Sequence, residues 1–269
     1  MLAWKLIGGL AAGAAFLVGR ALHRRSQQEA AGNASGLAPV RDLTGVASAL
    51  SQTALWAMAE GGFERRVVHG VLARDGGDVD VMAFDLETLR ERRGEWAFLP
   101  VEPPFRIAGV VSIVVCEIDR HFPHVLFKRA GKGDALDDDD RIERMGSLAK
   151  NVRDRLGMPR SYESEMPASL DKTPLSLSLP EGWRAYGRAP EIVESLLASG
   201  FTATLEQGSR RDLVIELLDN VVVVYPAARD VVGPDAFADL TTTALQIVDG
   251  VLAASKPLTP RGIDAKRPE

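Results

Sequence analysis

The sequence predicts an α+β protein: an N-terminal transmembrane helix followed by a β-rich cytoplasmic region of two similar, mainly antiparallel α+β halves. Three observations lead to this prediction. The chain opens with an apolar run, its middle and late segments are rich in β-branched residues, and segments with helical spacing flank both groups of strands. The net charge of −5 excludes a protein that binds nucleic acid through overall positive charge.

The N-terminal segment, residues 1–25, is predicted to anchor the protein in a membrane. A helix over residues 2–22 would be about 31 Å long, close to the thickness of the hydrocarbon core of a bilayer. Arg20, Arg24 and Arg25 follow the apolar run, so the positive-inside rule predicts a single-pass inner-membrane protein with its bulk in the cytoplasm. A cleaved signal peptide and a buried helix of a soluble domain are the alternatives.

Two further features belong to this end of the chain. Gly9 and Gly13 have the GxxxG spacing that allows membrane helices to pack closely, which would support homodimerisation. The general abundance of glycine and alanine in membrane helices is the alternative explanation. Residues 26–41 lack an apolar period and are predicted to form a linker.

The first α+β half is predicted over residues 42–130. Residues 42–60 have the apolar spacing of a helix. Two strand-like segments flank the sequence DGGD at 75–78, which is typical of a β-hairpin. The run 107–119 is almost continuously apolar and predicts a central strand, and 123–129 predicts an additional edge strand.

Residues 131–173 are predicted to be a charged linker between the halves, because they contain glycines, prolines and the acidic run Asp137–Asp140. A calcium loop spaces its oxygen ligands alternately and includes a turn glycine, and four adjacent aspartates do not have this pattern. The run therefore favours a solvated linker, with a docking site for a basic partner as the alternative.

The second α+β half is predicted over residues 174–255. A helix should begin at Pro190, because proline is favoured in the first turn. Strands are expected over 175–179, 201–207, 212–218 and 220–226. Asp219–Asn220 is predicted to be a two-residue turn between the last two strands.

The final helix is predicted to begin at Pro234, and the tail, residues 256–269, is predicted to be loose. One face of this helix carries apolar residues at steps of three and four, which predicts that the face packs on the preceding strands. These residues are Phe237, Leu240, Ala244, Ile247, Val248 and Val251.

Cys116, His121 and His124 are the candidates for a metal site or a Cys/His nucleophile pair. Their spacing lacks the second cluster of a recognised zinc motif, and Cys116 lies within the strand-like sequence VVCEI, where a thiol packs as a small apolar group. The sequence therefore favours a protein without catalytic, cofactor-binding or metal-binding residues, and no cofactor is expected.

The order of these elements resembles a family of conserved bacterial single-pass membrane-anchored proteins of unknown function. The sequences that carry the resemblance are GGFERRVVHGVLARDGGDVDVMAFDLET, HFPHVLFKR, EIVESLLASGF and LVIELLDNVVVVY. It extends from about Leu43 to Leu252, and the aspartate run departs from the pattern. The resemblance implies an N-terminal anchor and a β-rich cytoplasmic region, and it carries no catalytic residues.

The sequence thus favours a membrane-tethered, non-enzymatic interaction or accessory protein, with the membrane and a protein as partners and no nucleic acid. A hydrolase or metal enzyme that uses Cys116, His121 and His124 is the first alternative. A module that binds a lipid or small ligand between the two halves is the second.

Overall fold

One antiparallel sheet forms the centre of the computed structural model of this chain. The structure describes residues 25–40, 50–57, 62–74, 76–91, 105–129, 167–171, 173–207, 213–226 and 234–254. The predicted anchor up to residue 24, the run Asp137–Asp140 and the tail 256–269 lie outside these described residues. Within them, no helix is long and apolar enough to cross a membrane.

The described elements confirm the α+β class. The strands are β1 (Ala38–Pro39), β2 (Gly62–Arg74), β3 (Gly77–Glu91), β4 (Phe105–Arg129), β5 (Trp183–Gly187) and β6 (Leu213–Pro226). The helices are α1 (residues 25–35), α2 (Ala54–Ala57), α3 (Pro190–Leu196), α4 (Thr202–Gln207) and α5 (Pro234–Ala254), and a π-helical turn, Leu197–Phe201, joins α3 to α4. The strand order is β1-β2-β3-β4-β5, and β6 also pairs with β4.

The hairpin of β2 and β3 forms at the DGGD sequence, as predicted, with Arg74 paired to Gly77 at its tip. Successive residues of a strand point to opposite faces, and both faces of β3 are buried. Val79, Val81 and Ala83 belong to one apolar core, and Met82, Phe84 and Leu86 belong to the other. We call the first side of the sheet the helical face, because α1, α3, α4 and α5 contribute to its core. The second is the loop face, covered by residues 50–57 and 167–171.

The predicted central and edge strands, 107–119 and 123–129, are both strand, and β4 also includes the residues between them. β4 pairs with β3 through residues 105–117, with β5 through 125–129 and with β6 through 114–128. The prediction of two halves with a sheet each is therefore wrong for the described residues, because β4 joins strands of both halves in one sheet.

β6 agrees with a sequence prediction at Asp219–Asn220. Strand residues continue on both sides, but Asp219 has a positive φ of 52°, and the Tyr225 hydroxyl bonds back to Glu216, nine residues earlier. Nine residues of one extended strand would span about 30 Å, so the chain reverses at Asp219–Asn220. The register with β4 shifts on both sides of the pair Phe122 and Asp219, because residues 114–117 of β4 pair with 221–224 and residues 122–128 pair with 214–219. The two arms of β6 therefore pair with different parts of β4 on either side of the turn.

Residues 201–207, predicted to be a strand, are helical. Gly200 has a φ of 103° and bends the chain between α3 and α4. Phe201 and Leu205 are fully buried and four residues apart. This spacing places two side chains on one face of a helix, and it also places them on one face of a strand. Phe201 packs edge-on against Phe127 of β4, with the ring centroids 5.4 Å apart.

The final helix, α5, is confirmed together with its buried face. All six residues predicted for that face are at most 2% exposed, and Gln246 on the opposite side is exposed. Asp249 of α5 also accepts two hydrogen bonds from the Arg74 guanidinium, at 2.8 and 3.1 Å. The helix is thus fixed both to the sheet and to the β2–β3 hairpin.

Two segments predicted to be linkers contain ordered, packed residues. Within 26–41, residues up to 35 belong to α1, and Ala31 is fully buried in the core of the helical face. Gln28 donates to the backbone carbonyl groups of Val40 and Val67, at 2.7 and 2.5 Å, which fixes α1 against β2. Within 131–173, Leu170 is buried in the core of the loop face. The sequence did not indicate this packing, because the small and polar residues of both segments show little apolar periodicity.

Candidate functional site

The loop face of the sheet contains a hydrogen-bonded group of polar residues inside an apolar core. His124 of β4 and Glu216 of β6 are 6% and 0% exposed, and Leu126 pairs directly with Glu216. His124 lies two residues from Leu126 on the same face, so it is the diagonal neighbour of Glu216 across the strand pair. We call Ser169, His124, Glu216 and Tyr225 the His124 cluster.

Glu216 is the buried acceptor at the centre of the His124 cluster. Its carboxylate accepts hydrogen bonds from His124 Nε2 at 2.9 Å, from the Ala54 backbone N–H at 2.9 Å and from the Tyr225 hydroxyl at 2.5 Å. A buried carboxylate is costly unless donors surround it, and these three donors supply that compensation. The Ala54 bond also fixes the first residue of α2 to the sheet.

His124 connects this buried carboxylate to the protein surface. Its Nδ1 lies 2.6 Å from Ser169 Oγ, and Ser169 is exposed. Ser169 sits in a turn closed by a 2.9 Å bond from the Leu170 N–H to the Pro167 carbonyl. Burial of Leu170 holds this turn against the sheet, so the hydroxyl is positioned by packing as well as by its hydrogen bond.

The order of groups in the His124 cluster is hydroxyl, imidazole, carboxylate. An imidazole in this position can take a proton from the hydroxyl while the carboxylate stabilises the resulting charge. The neighbouring segments 50–57 and 167–171 are fixed to the sheet by the same bonds, so the cluster also has a structural role.

The predicted combination of Cys116, His121 and His124 is not assembled. Cys116 is buried in the core of the helical face, whereas His124 lies on the loop face. Burial raises the pKa of the Cys116 thiol to about 12, which disfavours the nucleophilic thiolate. The His121 side chain is 72% exposed, and its Nδ1 lies 2.5 Å from Asp219 Oδ1.

A metal site requires several ligands at one place. In the described part of the chain, no group of three or more His, Cys, Asp or Glu side chains has an arrangement that could hold a metal ion.

The sequence prediction named His124 but missed its partners Ser169, Glu216 and Tyr225. Glu216 had a detectable signal, since it is the lone acid within the apolar strand sequence LVIELL. Ser169 had none, because it lies in a segment that looks like a charged linker and reaches His124 only through the fold.

The helical face carries a second buried polar group around Arg66. Its Nε donates to Asp85 at 2.5 Å, and Ser112 Oγ donates to the other Asp85 oxygen at 2.7 Å. The Arg66 guanidinium also lies over the Phe237 ring of α5, 5.3 Å from its centroid. Arg66 has a φ of 49° at the β2 bulge, so this group fixes the bulge beneath the start of α5.

The comparisons with known proteins found a similar fold but no matching family. No family model and no curated protein matches the chain. The fold is similar to the crystal structure of the mycobacterial trehalose monomycolate transport factor A, TtfA, with a TM-score of 0.52 and 10% sequence identity. The match covers 87% of this chain and 96% of that chain. At this identity the similarity concerns the fold.

Proposed function

We propose that this protein is a membrane-tethered accessory protein whose folded region binds a protein partner at the cytoplasmic side of the inner membrane. The observation that carries the proposal is the fold similarity to TtfA, which extends over 96% of that chain. TtfA is described as a trehalose monomycolate transport factor. The similarity therefore supports an accessory role for this chain.

The N-terminal sequence supports the tether. Its apolar run and the following Arg20, Arg24 and Arg25 are the features from which single-pass topology and cytoplasmic orientation are predicted. Arg25 lies in helix α1, which packs on the sheet through Ala31. A tether at this position would hold the folded region close to the membrane surface.

Separation of Cys116 from His124 weakens the alternative of a hydrolase built on that cysteine. The two side chains belong to cores on opposite faces of the sheet, and the thiol is buried. An accessory role needs neither group to be reactive.

Co-purification from membranes in a mild detergent tests the proposal. The full chain is compared with a chain in which residues 1–24 are replaced by an unrelated single-pass helix of the same orientation. We expect the same protein partner, in a constant ratio, to co-purify with both chains, because the folded region carries the contact.

Two results would contradict the proposal. Loss of the partner from the chain with the exchanged helix would assign binding to the N-terminal segment. Recovery of both chains without any partner in constant ratio would remove the accessory role itself.

A further inference from the structure

We propose that Ser169, His124 and Glu216 form an acyl-transfer site that hydrolyses carboxylic esters. This activity goes beyond the accessory role and is carried by a different observation, the serial hydrogen bonds of 2.6 and 2.9 Å that join the three side chains. Its failure would leave the partner-binding proposal intact, because co-purification does not depend on Ser169.

The surroundings of Glu216 determine which nitrogen of His124 carries the proton. An ionised carboxylate can only accept hydrogen bonds, so His124 Nε2, which lies 2.9 Å from Glu216 Oε2, is a donor, as are the Ala54 N–H and the Tyr225 hydroxyl. Nε2 therefore holds the proton in the neutral imidazole, and Nδ1 is left as an acceptor. The Ser169 hydroxyl then donates to Nδ1.

Burial of the acid and exposure of the hydroxyl suit this chemistry. Glu216 is fully buried, and its other donors, Ala54 and Tyr225, hold the carboxylate in one orientation. Glu216 and Tyr225 are thus positioning residues. Ser169 is exposed, so an acyl group can approach its oxygen from solvent without opening the core.

The reaction has two balanced steps. In the first, Ser169 Oγ forms a bond to the carbonyl carbon of the ester, its proton passes to His124 Nδ1, and the bond to the alcohol oxygen breaks as the alcohol takes that proton. In the second, water attacks the acyl-serine, gives its proton to Nδ1 and releases the carboxylic acid. Serine regains the proton, so one ester and one water yield one acid and one alcohol.

Covalent labelling of the full chain in mild detergent tests the nucleophile. A fluorophosphonate probe should modify Ser169 in about one site per chain, identified by peptide mass spectrometry, because the probe reacts with serines activated by a neighbouring base. Ser169→Ala should abolish labelling without loss of folding, since Ser169 is exposed. Ser176→Ala, at an exposed serine that is not a member of the His124 cluster, is the matched control and should leave labelling unchanged.

Hydrolysis of p-nitrophenyl acetate tests the complete site. Ser169→Ala should lower kcat/KM at least about 100-fold, in keeping with loss of a nucleophile and its base. Glu216→Gln, where circular dichroism shows that it folds, should lower kcat with little change in KM, because the carboxylate acts through His124. The proposal is overturned if Ser169 is not labelled, if Ser176 is labelled equally, or if Ser169→Ala hydrolyses the ester as fast as the unchanged chain.

Discussion

Buried polar residues stabilise this fold by satisfying the hydrogen bonds of their buried neighbours. Glu216 illustrates the point, because three donors from β4, β6 and the start of α2 converge on one carboxylate. Removal of that acceptor would leave the donors without a partner in the core, which is more costly than loss of an exposed hydrogen bond.

Glu216→Leu should therefore lower the free energy of unfolding by about 3–5 kcal/mol. Glu117→Leu is the matched control, because Glu117 is an exposed glutamate of the neighbouring strand β4. The control should change stability by about 0.5 kcal/mol or less. Urea unfolding of the full chain in mild detergent measures both, and equal shifts of the two midpoints would show that the carboxylate is not held as described.

Cys116 gives a prediction about pH. The unfolded thiol loses its proton near the ordinary value of 9.0, whereas burial raises the pKa in the folded protein to about 12. Between these values the unfolded state binds fewer protons, so the stability contributed by the neutral thiol is complete below pH 9.0 and declines as the pH rises towards about 12.

Cys116→Ala should consequently show a smaller loss of stability over this alkaline range than the unchanged chain. Denaturant midpoints at several pH values measure the difference.

A thiol reagent at pH 8 should also leave native Cys116 unmodified and react after unfolding. Rapid modification of the native protein would contradict the burial of the thiol.

At the scale of elements, the sequence predicted most reliably where a single pattern matched a single structure. The DGGD sequence between two strand-like segments predicted the hairpin, and the six-residue stripe predicted α5. The predictions failed where a local signal had two readings. Phe201 and Leu205 are buried and four residues apart, a spacing found on one face of a strand and on one face of a helix, and the segment predicted to be a strand is helical.

Helix α5 should depend on its buried face. Ile247→Ala should destabilise the protein by roughly 2–5 kcal/mol, since the side chain is 2% exposed. Gln246→Ala, at the exposed neighbouring position, should cost about 0.5 kcal/mol or less. If thermal unfolding shows equal shifts for the two variants, α5 is not packed on the sheet through this face.

Gly250 tests the close approach of α5 to α4. A Cβ at this position would lie 2.1 Å from Thr204 Oγ1 and 2.8 Å from Thr204 Cβ, too close for either atom to remain in place. Gly250→Ala should therefore destabilise by about 1–3 kcal/mol, although alanine favours helices intrinsically. In a protein that already carries Thr204→Gly, Gly250→Ala should lower the free energy of unfolding by less than it does alone. A stabilising effect of Gly250→Ala alone would contradict this packing.

For the whole molecule, the sequence predicted the α+β class but not the single sheet. A prediction from local patterns divides the chain at its polar segments, so 131–173 suggested a boundary between two domains. The structure instead places strands from both sides of that segment on the edges of β4. The His124 cluster depends on the same long-range arrangement, since residues from 54 to 225 contribute to it.

We propose that a self-sufficient folded region is tethered to the membrane by the N-terminal segment. Alkaline carbonate extraction of cell membranes tests it most directly, with the full chain beside a chain that lacks residues 1–24 and keeps α1 intact. We expect the full chain to remain in the membrane pellet and the shortened chain to be soluble, monodisperse and cooperatively folded. Recovery of the full chain in the carbonate supernatant would contradict the tether, and aggregation of the shortened chain would contradict the self-sufficient fold.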